Sequence, residues 1–416
     1  MDNSKVNLVK GTHDLFGSDI QKFKFITDSF YEVCSRFNFQ PIQTPIIEHQ
    51  DLFIRAVGEH TDIVSKEMYA FTDKNDKTIC LRPEATSGIA RHVAENYQTG
   101  LVKMCTHGPM FRRERPQKGR YRQFHQINIE AIGEKTPYID FEIILVAKLL
   151  LDLLRVNSSD YRLIVNSLGS TEDQTNYSKI LKNYFESSKS KLSETSLERL
   201  EKNPLRILDS KNEEDQKLIT NAPSMKEVLS EKSKHYFEQI KELLTENGID
   251  FIEDNKLVRG LDYYTHTAFE FQTTQDKRQN AILAGGRYDR LINMISSKDL
   301  PGIGWAAGVE RLMDLISLPN KTLHSQLKIL IAVQDESFLK NKLIMNQFYN
   351  SSYTHEVKVS NNIKKLFTYA DKNNFNYIVL IGEEEHLNQK ITIKNLMNKE
   401  QKSINQSEFN LANEIR

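Results

Sequence analysis

Apolar residues recur at helical spacing near the start of the chain. On a helix they would form a single stripe made of Ile20, Phe23, Ile26, Phe30, Val33 and Phe37. Ser18, followed three residues later by Gln21, is typical of a capping box, which satisfies free N–H groups in the first turn of a helix. The pattern therefore predicts an amphipathic helix from about Asp19 to Phe37, followed by an extended run between Pro41 and Glu48.

The middle of the chain alternates between strand patterns and one strongly apolar helix. Strands are predicted at 78–81, 102–111, 124–132, 161–166, 269–272 and 280–283, and helices at 138–155 and from about 308. The most apolar stretch, Ile143–Leu154, is shorter than the roughly 20 residues that a membrane crossing needs. From about 171 to 250 the strand pattern is lost, which predicts a helical insertion.

The last quarter of the chain has a pattern of its own. Ser317–Gln326 is polar and contains a proline, as expected for a linker. Beyond it, strands are predicted at 328–333, 356–359, 377–381 and 390–396, with a helix after the first, the second and the last of them. The chain is thus predicted to be a mixed α/β (α+β) protein with domains at 1–318 and 327–416.

The composition fits a globular protein with more than one domain. Of 416 residues, 39% are hydrophobic and 27% are charged, and the net charge is zero. Any RNA-binding surface would therefore be a local patch. The cysteines form no CxxC pair and the N-terminus lacks a signal-peptide pattern. We therefore expect a reducing, cytoplasmic location, with neither a structural zinc site nor a membrane partner.

The most informative segment is 108–133, GPMFRRERPQKGRYRQFHQINIEAIG. Its central loop holds six basic residues and one acid, Glu114, and is interrupted by Pro116 and Gly119. The segment is therefore predicted to be a strand, an arginine-rich loop and a second strand. One face of the second strand would consist of Ile127, Ile129 and Ala131, and the other of Arg122, Phe124, Gln126, Asn128 and Glu130.

The residues of that second strand leave two interpretations open. A polar stripe beside a solvated charged loop would need no ligand. Alternatively, arginine forks bind phosphate oxygens, an aromatic ring stacks on adenine, and a carboxylate with an amide holds an amino group or a ring N–H. This second interpretation predicts nucleotidyl transfer to a small zwitterion. The nucleotide would be held without a Walker A sequence or a GxGxxG after a strand, since the sequence contains neither.

Several segments resemble the class II aminoacyl-tRNA synthetases in their order and spacing. The segment 108–133 resembles motif 2 of that family, Thr44–Glu48 resembles motif 1, and Gly304–Leu312 resembles motif 3. Leu81–Thr86, LRPEAT, resembles the loop that receives the amino acid.

Two further segments are similar to signatures of the bacterial histidyl-tRNA synthetases, LVRGLDYY at Leu257–Tyr264 and AGGRYD at Ala284–Asp289. The resemblance extends from Lys10 to Gln401 and is looser in the C-terminal domain. It implies an antiparallel-sheet catalytic core with a helical insertion, followed by an α/β anticodon-binding domain. It also implies a homodimeric ligase that uses ATP with Mg²⁺, L-histidine and the histidine tRNA.

The resemblance implies roles for individual residues. ATP is expected to contact Arg112, Glu114, Arg120, Phe124 and Arg311. Histidine is expected to contact Glu84, Ala85, Thr86, Arg112, Gln126, Glu130, Arg259, Tyr263 and Tyr264. The expected catalytic residues are Arg112, Arg259 and Arg311. The acceptor end of the tRNA is expected to meet Gln117 and Arg122, and no protein-bound metal is expected.

Ordinary structural roles are the alternatives for several of these residues. Any one arginine would otherwise form a salt bridge, Glu84 would complement a helix N-terminus, and Tyr263 would belong to the core. Arg122 would otherwise contact only phosphate. Gly285 and Gly286 would allow either a close approach of the backbone to the substrate or a plain turn.

Two other functions remain as alternatives. A paralogue of the same catalytic core is the regulatory subunit of ATP phosphoribosyltransferase, but it lacks the C-terminal domain and has lost the arginine and tyrosine positions. A synthetase fold without activity, used for RNA binding or signalling, would require the loss of Arg112, Arg259 or Arg311, and all three are present.

Overall fold

The largest sheet of the chain is mainly antiparallel, as the alternating strand patterns predict. The computed structural model describes residues 6–59, 61–117, 119–210, 212–258, 263–274, 280–318, 327–340, 342–351 and 353–415. The chain divides into two units, Met1–Ser317 and Leu318–Arg416.

The described strands of the first unit are β1 (Gln40–Pro41), β2 (Ile47–His49), β3 (Ala70–Thr72), β4 (Thr78–Leu81), β5 (Val102–Phe111), β6 (Gln123–Ile132), β7 (Tyr161–Ser167), β8 (Ile252–Glu253), β9 (Thr265–Thr273), β10 (Ala281–Arg287) and β11 (Gly302–Gly308). Its described α-helices are α1 (Ser18–Arg36), α2 (Gln50–Val57), α3 (Thr86–Asn96), α4 (Pro137–Leu153), α5 (Thr171–Glu186), α6 (Glu194–Lys202), α7 (Glu213–Ile219), α8 (Met225–Val228), α9 (Glu231–Glu246), α10 (Leu291–Ile295) and α11 (Val309–Leu315).

The large sheet has the strand order β1-β5-β6-β11-β10-β9-β7-β8. Its inner strands are antiparallel, whereas the outer pairs β1–β5 and β7–β8 are parallel. A small antiparallel sheet has the order β2-β4-β3. Strand β11 pairs along its whole length with β6, from Gly308 opposite Gln126 to Gly302 opposite Ile132.

One face of the large sheet is covered by helices α1, α4 and α9. On β6, this face carries the predicted apolar set, Ile127, Ile129 and Ala131, which is fully buried. Trp305 of β11 lies in the same core, and its indole N–H donates to the carbonyl of Ile143 at 3.0 Å. The alternation predicted for this strand is therefore confirmed, and it leaves the opposite face available for a cleft.

The start of α1 differs from the prediction. The helix begins at Ser18 and its N-cap is Gly17, at φ 59° and ψ −122°, with no capping hydrogen bond from a side chain. The predicted capping box is therefore wrong, because Ser18 lies inside the first turn. Ile20 is 44% exposed, whereas Ile26 and Phe30 are buried, so the apolar stripe meets the core only from the second turn onward.

The segment predicted as an insertion is helical, and α5 to α9 lie between β7 and β8. Helices α5 to α8 share a small core that includes Tyr177, Leu181, Phe185, Leu200 and Ile207. Helix α9 instead packs on the main core through Phe237, Ile240 and Leu244.

The second unit is a five-stranded sheet with helices on both faces. Its elements are β12 (Lys328–Val333), α12 (Lys342–Tyr349), β13 (Thr354–Val359), α13 (Ile363–Lys372), β14 (Tyr377–Ile381), α14 (Glu383–Leu387), β15 (Lys390–Asn395), β16 (Gln401–Asn405) and α15 (Leu411–Glu414). Strands β13, β12 and β14 are parallel, and β15 and β16 are antiparallel. The prediction of a helix directly after β15 is wrong, because a turn at 396–400 leads into β16.

Most of the predicted linker, residues 319–326, lies outside the described residues. Within the described part of the chain, no helix is both long enough and apolar enough to span a membrane.

Candidate active site

A cleft lies over the face of the large sheet that the core helices leave uncovered. Gln126, Asn128 and Glu130 of β6 line it, alternating with the buried core residues of the same strand. Small residues complete its floor, namely Ala284, Gly304 and Ala306. Its volume of about 1390 Å³ exceeds the roughly 300–1,000 Å³ typical of single-ligand pockets. The cleft therefore has room for a nucleotide beside a small molecule.

One end of the cleft, here called the closed end, is built by Thr86, Glu130, Tyr263, Tyr288 and Gly304. Glu130 is 1% exposed, and its carboxylate accepts a hydrogen bond from the Thr86 hydroxyl at 2.6 Å and another from the Tyr288 hydroxyl. A Cβ atom at Gly304 would collide with this carboxylate. The glycine on β11 therefore makes the space that Glu130 occupies.

Burial changes the protonation of the closed end. It raises the pKa of Glu130 to about 8, while the hydrogen bonds from Thr86 and Tyr288 lower it and the charge of Glu84 raises it. Burial also raises the pKa of Tyr288 well above its ordinary value, and Glu130 adds to the effect. The tyrosine hydroxyl therefore remains a donor, and a carboxyl group with a pKa near neutrality faces the cleft.

Two neighbouring tyrosines, Tyr263 and Tyr264, directly precede β9. The rings of Tyr263 and Tyr264 are 4.6 Å apart, and Tyr263 meets the edge of Tyr288 at 5.6 Å. Tyr263 is 2% exposed and packs with Tyr288 in an apolar cluster, as its structural alternative predicts, and it also lines the cleft. Tyr264 is half-buried and lines the cleft. Arg259 lies outside the described residues.

The loop before α3 brings a second carboxylate to the cleft. Glu84 accepts hydrogen bonds from the backbone N–H groups of Thr86 at 2.6 Å and Ser87 at 3.0 Å, and from the Ser87 hydroxyl. Ala85, 1% exposed, is the N-cap residue of this helix. The structural alternative for Glu84, a carboxylate at a helix N-terminus, is thus present in the structure. The same carboxylate lines the cleft.

The other end, here called the open end, is built by Arg112, Glu114, Arg120, Phe124 and Arg311. The Arg112 Nε donates to the carbonyl of Pro83 at 2.9 Å, and its guanidinium lies 5.4 Å from the centre of the Phe124 ring. Arg120 pairs with Glu114 at 3.2 Å. Both arginines remain half-buried and line the cleft.

Arg311 reaches the open end from the first turn of α11. Its Nε donates to the carbonyl of Gly119 at 3.3 Å and its guanidinium to the carbonyl of Ala281 at 2.7 Å. Burial lowers the pKa of Arg311, as do the like charges of Arg120 and Arg112, while Glu114 raises it. Guanidinium groups that repel one another in this way favour a polyanionic ligand between them.

Glu310 holds the start of α11 against β6. Its carboxylate accepts the backbone N–H of His125 at 3.0 Å on both oxygens and lies 2.8 Å from the His125 ring nitrogen Nδ1. Since Arg311 is the next residue, this contact fixes where its side chain departs from the helix.

The amides of β6 lie between the two ends. Asn128 is 1% exposed, and its side-chain N–H donates to the carbonyl of Trp305 at 3.2 Å. Among the described residues, Gln126 Oε1 and Asn128 Oδ1 are buried acceptors without a hydrogen-bond partner. Buried acceptors are usually paired with protein or ordered water, so these two point to a polar ligand or water in the cleft.

The loop between β5 and β6 has a tight turn at its tip. Gln117 and Arg120 exchange backbone hydrogen bonds of 3.2 and 2.9 Å around Gly119, whose φ of +72° suits glycine. Gln117 is exposed at this tip. Arg122 is half-buried, and its backbone N–H donates to the carbonyl of Gly11 at 2.7 Å.

Two family models match the chain. One, described as histidyl-tRNA synthetase, matches residues 11–312, and the other, described as anticodon binding domain, matches residues 329–411. A histidine–tRNA ligase of Wolbachia pipientis wMel is 42% identical over 399 residues, which are 95% of this chain and 96% of that protein. One from Rippkaea orientalis is 39% identical over 409 residues, 97% of this chain and 95% of that protein.

The chain belongs to the histidyl-tRNA synthetase family.

Solved structures agree with this family. The apo histidyl-tRNA synthetase of S. aureus matches with a TM-score of 0.78 at 29% identity, over 97% of this chain and 98% of that one. A Bacillus halodurans protein described as an ATP phosphoribosyltransferase regulatory subunit/histidyl-tRNA synthetase matches with a TM-score of 0.63 at 19% identity, over 89% and 97%. The second likeness shows the fold alone.

The structure adds residues that the sequence did not single out. Tyr288 lies in the AGGRYD segment, yet only its position opposite Glu130 reveals a hydrogen bond between them. Arg287, the preceding residue, is fully buried against Asp140 of α4. Asp140 had no signal of its own because it lies within an apolar helical pattern.

One of the two interpretations of Gly285 and Gly286 is wrong. Both lie inside strand β10, so a turn is excluded. A Cβ at Gly285 would collide with the carbonyl of Gly304, and one at Gly286 with the carbonyl of Thr267. Close approach between neighbouring strands therefore already requires these glycines, and their approach to a substrate stays a prediction.

Proposed function

We propose that this chain is a histidine–tRNA ligase and that both of its chemical steps take place in the cleft. In the first step, an oxygen of the histidine carboxylate attacks the α-phosphorus of ATP, the bond to pyrophosphate breaks, and histidyl-adenylate forms. In the second, the terminal ribose hydroxyl of the tRNA attacks the acyl carbon, AMP leaves, and the hydroxyl proton is released. The observation that carries the proposal is one cleft with a buried carboxyl at one end and clustered guanidinium groups at the other.

In this proposal the closed end recognises the imidazole ring. A ring N–H of the substrate donates to Glu130, whose carboxylate Thr86 and Tyr288 hold in place. Tyr264 meets the other ring nitrogen. A site that hydrogen-bonds both nitrogens rejects analogues without them by about 10⁴–10⁵-fold, because its polar groups would be left unpaired.

The α-amino group of histidine is assigned to Glu84, Ala85, Thr86 and Gln126. A carboxylate has about four acceptor positions, and Glu84 uses three of them within the loop. One position is left for an ammonium group. The unpaired Oε1 of Gln126 supplies a second acceptor.

The open end is assigned to ATP. Arg112 would contact the α-phosphate, Arg120 and Arg311 the outer phosphates, and Phe124 with Glu114 the adenine. Arg112, Arg311 and Arg259 are the proposed catalytic residues, because they would stabilise the charge that develops as pyrophosphate leaves. The role of Arg259, near the substrate carboxylate, rests on the resemblance of the LVRGLDYY segment.

Mg²⁺ fits this end of the cleft. In proteins this ion usually binds one or two carboxylates together with phosphate oxygens. Glu114 and Glu270 are carboxylates that line the cleft, and both lie close enough to Arg311 to raise its pKa. Bound there, the ion would neutralise phosphate charge. Among the described residues no group of three or more His, Cys, Asp or Glu side chains forms a metal site without a substrate.

The tRNA is assigned to two parts of the chain. Gln117 and Arg122, in the loop between β5 and β6, would meet its acceptor end, and the C-terminal unit would bind the anticodon. A cytoplasmic location is proposed because the tRNA partner is found there and because the three cysteines are free and buried, as expected in a reducing compartment.

We also propose a homodimer formed through α1 and the extended run up to Glu48. Ile46 and Ile47 in this run are 41% and 53% exposed, and Phe71 of β3, in the same small sheet as β2, is 46% exposed. A self-complementary apolar patch would bury them. Light scattering of the purified chain tests this; a monomer at micromolar concentration would contradict it.

The proposal is tested by charging tRNA with radiolabelled histidine. Labelled tRNA should form only when ATP is present, and periodate oxidation of the terminal ribose should abolish it. No charging of tRNA by the wild-type chain, in the presence of ATP and Mg²⁺, would overturn the proposed function.

A further inference from the structure

A buried ion pair lies behind the closed end of the cleft. Arg287, the last residue of β10, and Asp140, in the first turn of α4, are both 0% exposed. The Arg287 Nε lies 2.9 Å from one Asp140 oxygen and 3.2 Å from the other, and a second guanidinium nitrogen also donates to this carboxylate. The hydroxyl of Thr267 on β9 donates to Asp140 as well. These three residues are called the brace.

The brace fixes the backbone beside Tyr264 and Tyr288, two of the tyrosines that line the cleft. Arg287 directly precedes Tyr288, and Thr267 lies three residues after Tyr264. Strand β9 contains a bulge next to Arg287. Gly286 pairs with Ala268, but the next residue, Arg287, pairs with Thr265, so residues 266 and 267 of β9 have no partner in the register with β10. A bulge beside an active site redirects the neighbouring side chains, and here the Thr267 hydroxyl ties the bulge to Asp140.

The bulge is conformationally unusual. His266 has a φ of +44°, which is uncommon for a residue other than glycine. Burial lowers the pKa of His266 to about 4, with the charge of Lys135 as the second cause. His266 is therefore neutral, and its Nε2 accepts from the Lys135 ammonium at 2.9 Å. Lys135 also pairs with Asp289 at 2.6 Å, so an ion pair lies beside the bulge.

Stability alone does not explain a fully buried ion pair. Removing two charges from water is costly, and well-packed apolar residues of similar size often stabilise a fold equally well. An arginine whose donors reach Asp140, Asp289 at 3.2 Å and the carbonyl of Glu134 at 3.2 Å supplies instead a single, well-defined geometry. This geometry fixes the position of the next residue, Tyr288, whose hydroxyl donates to Glu130.

We propose that Asp140 and Arg287 are positioning residues for histidine recognition, which act by fixing Tyr288, and through the bulge Tyr264, against the imidazole site. The proposal rests on the proposed function. In this proposal Arg287, the arginine of the AGGRYD segment, does not contact the substrate. It holds the neighbouring Tyr288 in position.

The test uses ATP–pyrophosphate exchange by the full chain with Arg287→Lys and Asp140→Asn. KM for histidine should rise between about 10-fold and 100-fold, as expected for a displaced binding group, while KM for ATP changes less than about twofold. Glu142→Gln is the matched control on the same helix, since Glu142 pairs with Lys103 away from the cleft. It should leave both constants unchanged.

A coupling measurement separates positioning from general damage. In a Tyr288→Phe background, Arg287→Lys should raise KM for histidine much less than it does in the wild type, because the two residues act on one contact. Equal effects in both backgrounds, or parallel increases in both KM values, would overturn the proposal.

Two further arms keep the test decisive. If a brace variant fails to fold by circular dichroism, Thr267→Val removes a single hydrogen bond from the brace and should still raise KM for histidine selectively; no selective rise would overturn the proposal. If the wild type exchanges pyrophosphate with histidine but no brace variant differs from it, only this inference fails. If the wild type does not exchange, the proposed function itself fails.

Discussion

The two ends of the cleft differ in how their charged groups are held. At the closed end, Glu130 is 1% exposed, and hydroxyl groups of Thr86 and Tyr288 satisfy it. At the open end, the side chains of Arg112 and Arg120 remain half-buried, and Arg311 is placed by carbonyl groups of the main chain. A buried, satisfied carboxyl favours one partner geometry, whereas partly hydrated arginines tolerate a flexible polyphosphate. The comparison assigns amino-acid specificity to the closed end and most of the rate to the open end.

The largest effect is expected at the open end. Arg112→Ala should lower kcat for ATP–pyrophosphate exchange by about 10⁴-fold, because a guanidinium that stabilises transferring phosphate is worth about 10³–10⁵-fold. KM for histidine should change far less. Arg162→Ala is the control, since this exposed arginine hydrogen-bonds Gln272 and does not line the cleft. A loss below tenfold would remove Arg112 from the catalytic residues.

The next effect concerns stability at the closed end. Burial raises the pKa of Glu130 in the folded protein from its ordinary 4.5 to about 8, so its contribution to stability is complete below pH 4.5 and is lost as pH rises through 8. Glu130→Gln should therefore become more stable relative to wild type over this range, by on the order of 4 kcal/mol. Urea unfolding at pH 5 and pH 8.5 measures this difference. A difference that does not depend on pH would show that burial does not raise this pKa.

The same substitution should affect recognition without affecting ATP. Glu130→Gln is expected to raise KM for histidine by about 100-fold, because the donated ring N–H favours the ionised carboxylate, and an amide oxygen is a weaker acceptor in a buried site. KM for ATP should remain within about twofold of the wild type. Glu95→Gln on the exposed side of α3 serves as the control. Equal changes in both KM values would erase the distinction between the two ends.

The smallest effect tests how Arg311 is placed. Glu310→Gln keeps an acceptor for the backbone N–H of His125 but removes the charge at the start of α11. KM for ATP should rise by about fivefold, as expected for a weakened hydrogen bond of about 1 kcal/mol, with KM for histidine unchanged. A selective rise in KM for histidine would place Glu310 with the closed end instead.

The sequence predicted strands β4 and β5 with their observed bounds and β6 to within one residue, together with the apolar and polar faces of β6. Period-2 alternation carries this information because a strand has only two faces. The resemblance supplied residues at both ends of the cleft, and Glu130, Arg112 and Arg311 all line it.

Other features depended on long-range contacts that no local pattern contains. Asp140 and Arg287 meet across 147 positions of sequence, so only the fold reveals the brace. The capping box at Ser18 was mispredicted because the helix begins one residue earlier than expected, with Gly17 as its N-cap residue. Strand β16 was missed because its alternation is weak: only Ile404 of its five residues is hydrophobic.

The central claim, that the closed end selects histidine, is tested most directly by ATP–pyrophosphate exchange with each of the twenty amino acids separately. The wild type should exchange with histidine alone, and Glu130→Gln should lose most of this exchange at histidine concentrations that just saturate the wild type. Exchange with a different amino acid, or none with any of the twenty, would contradict the account.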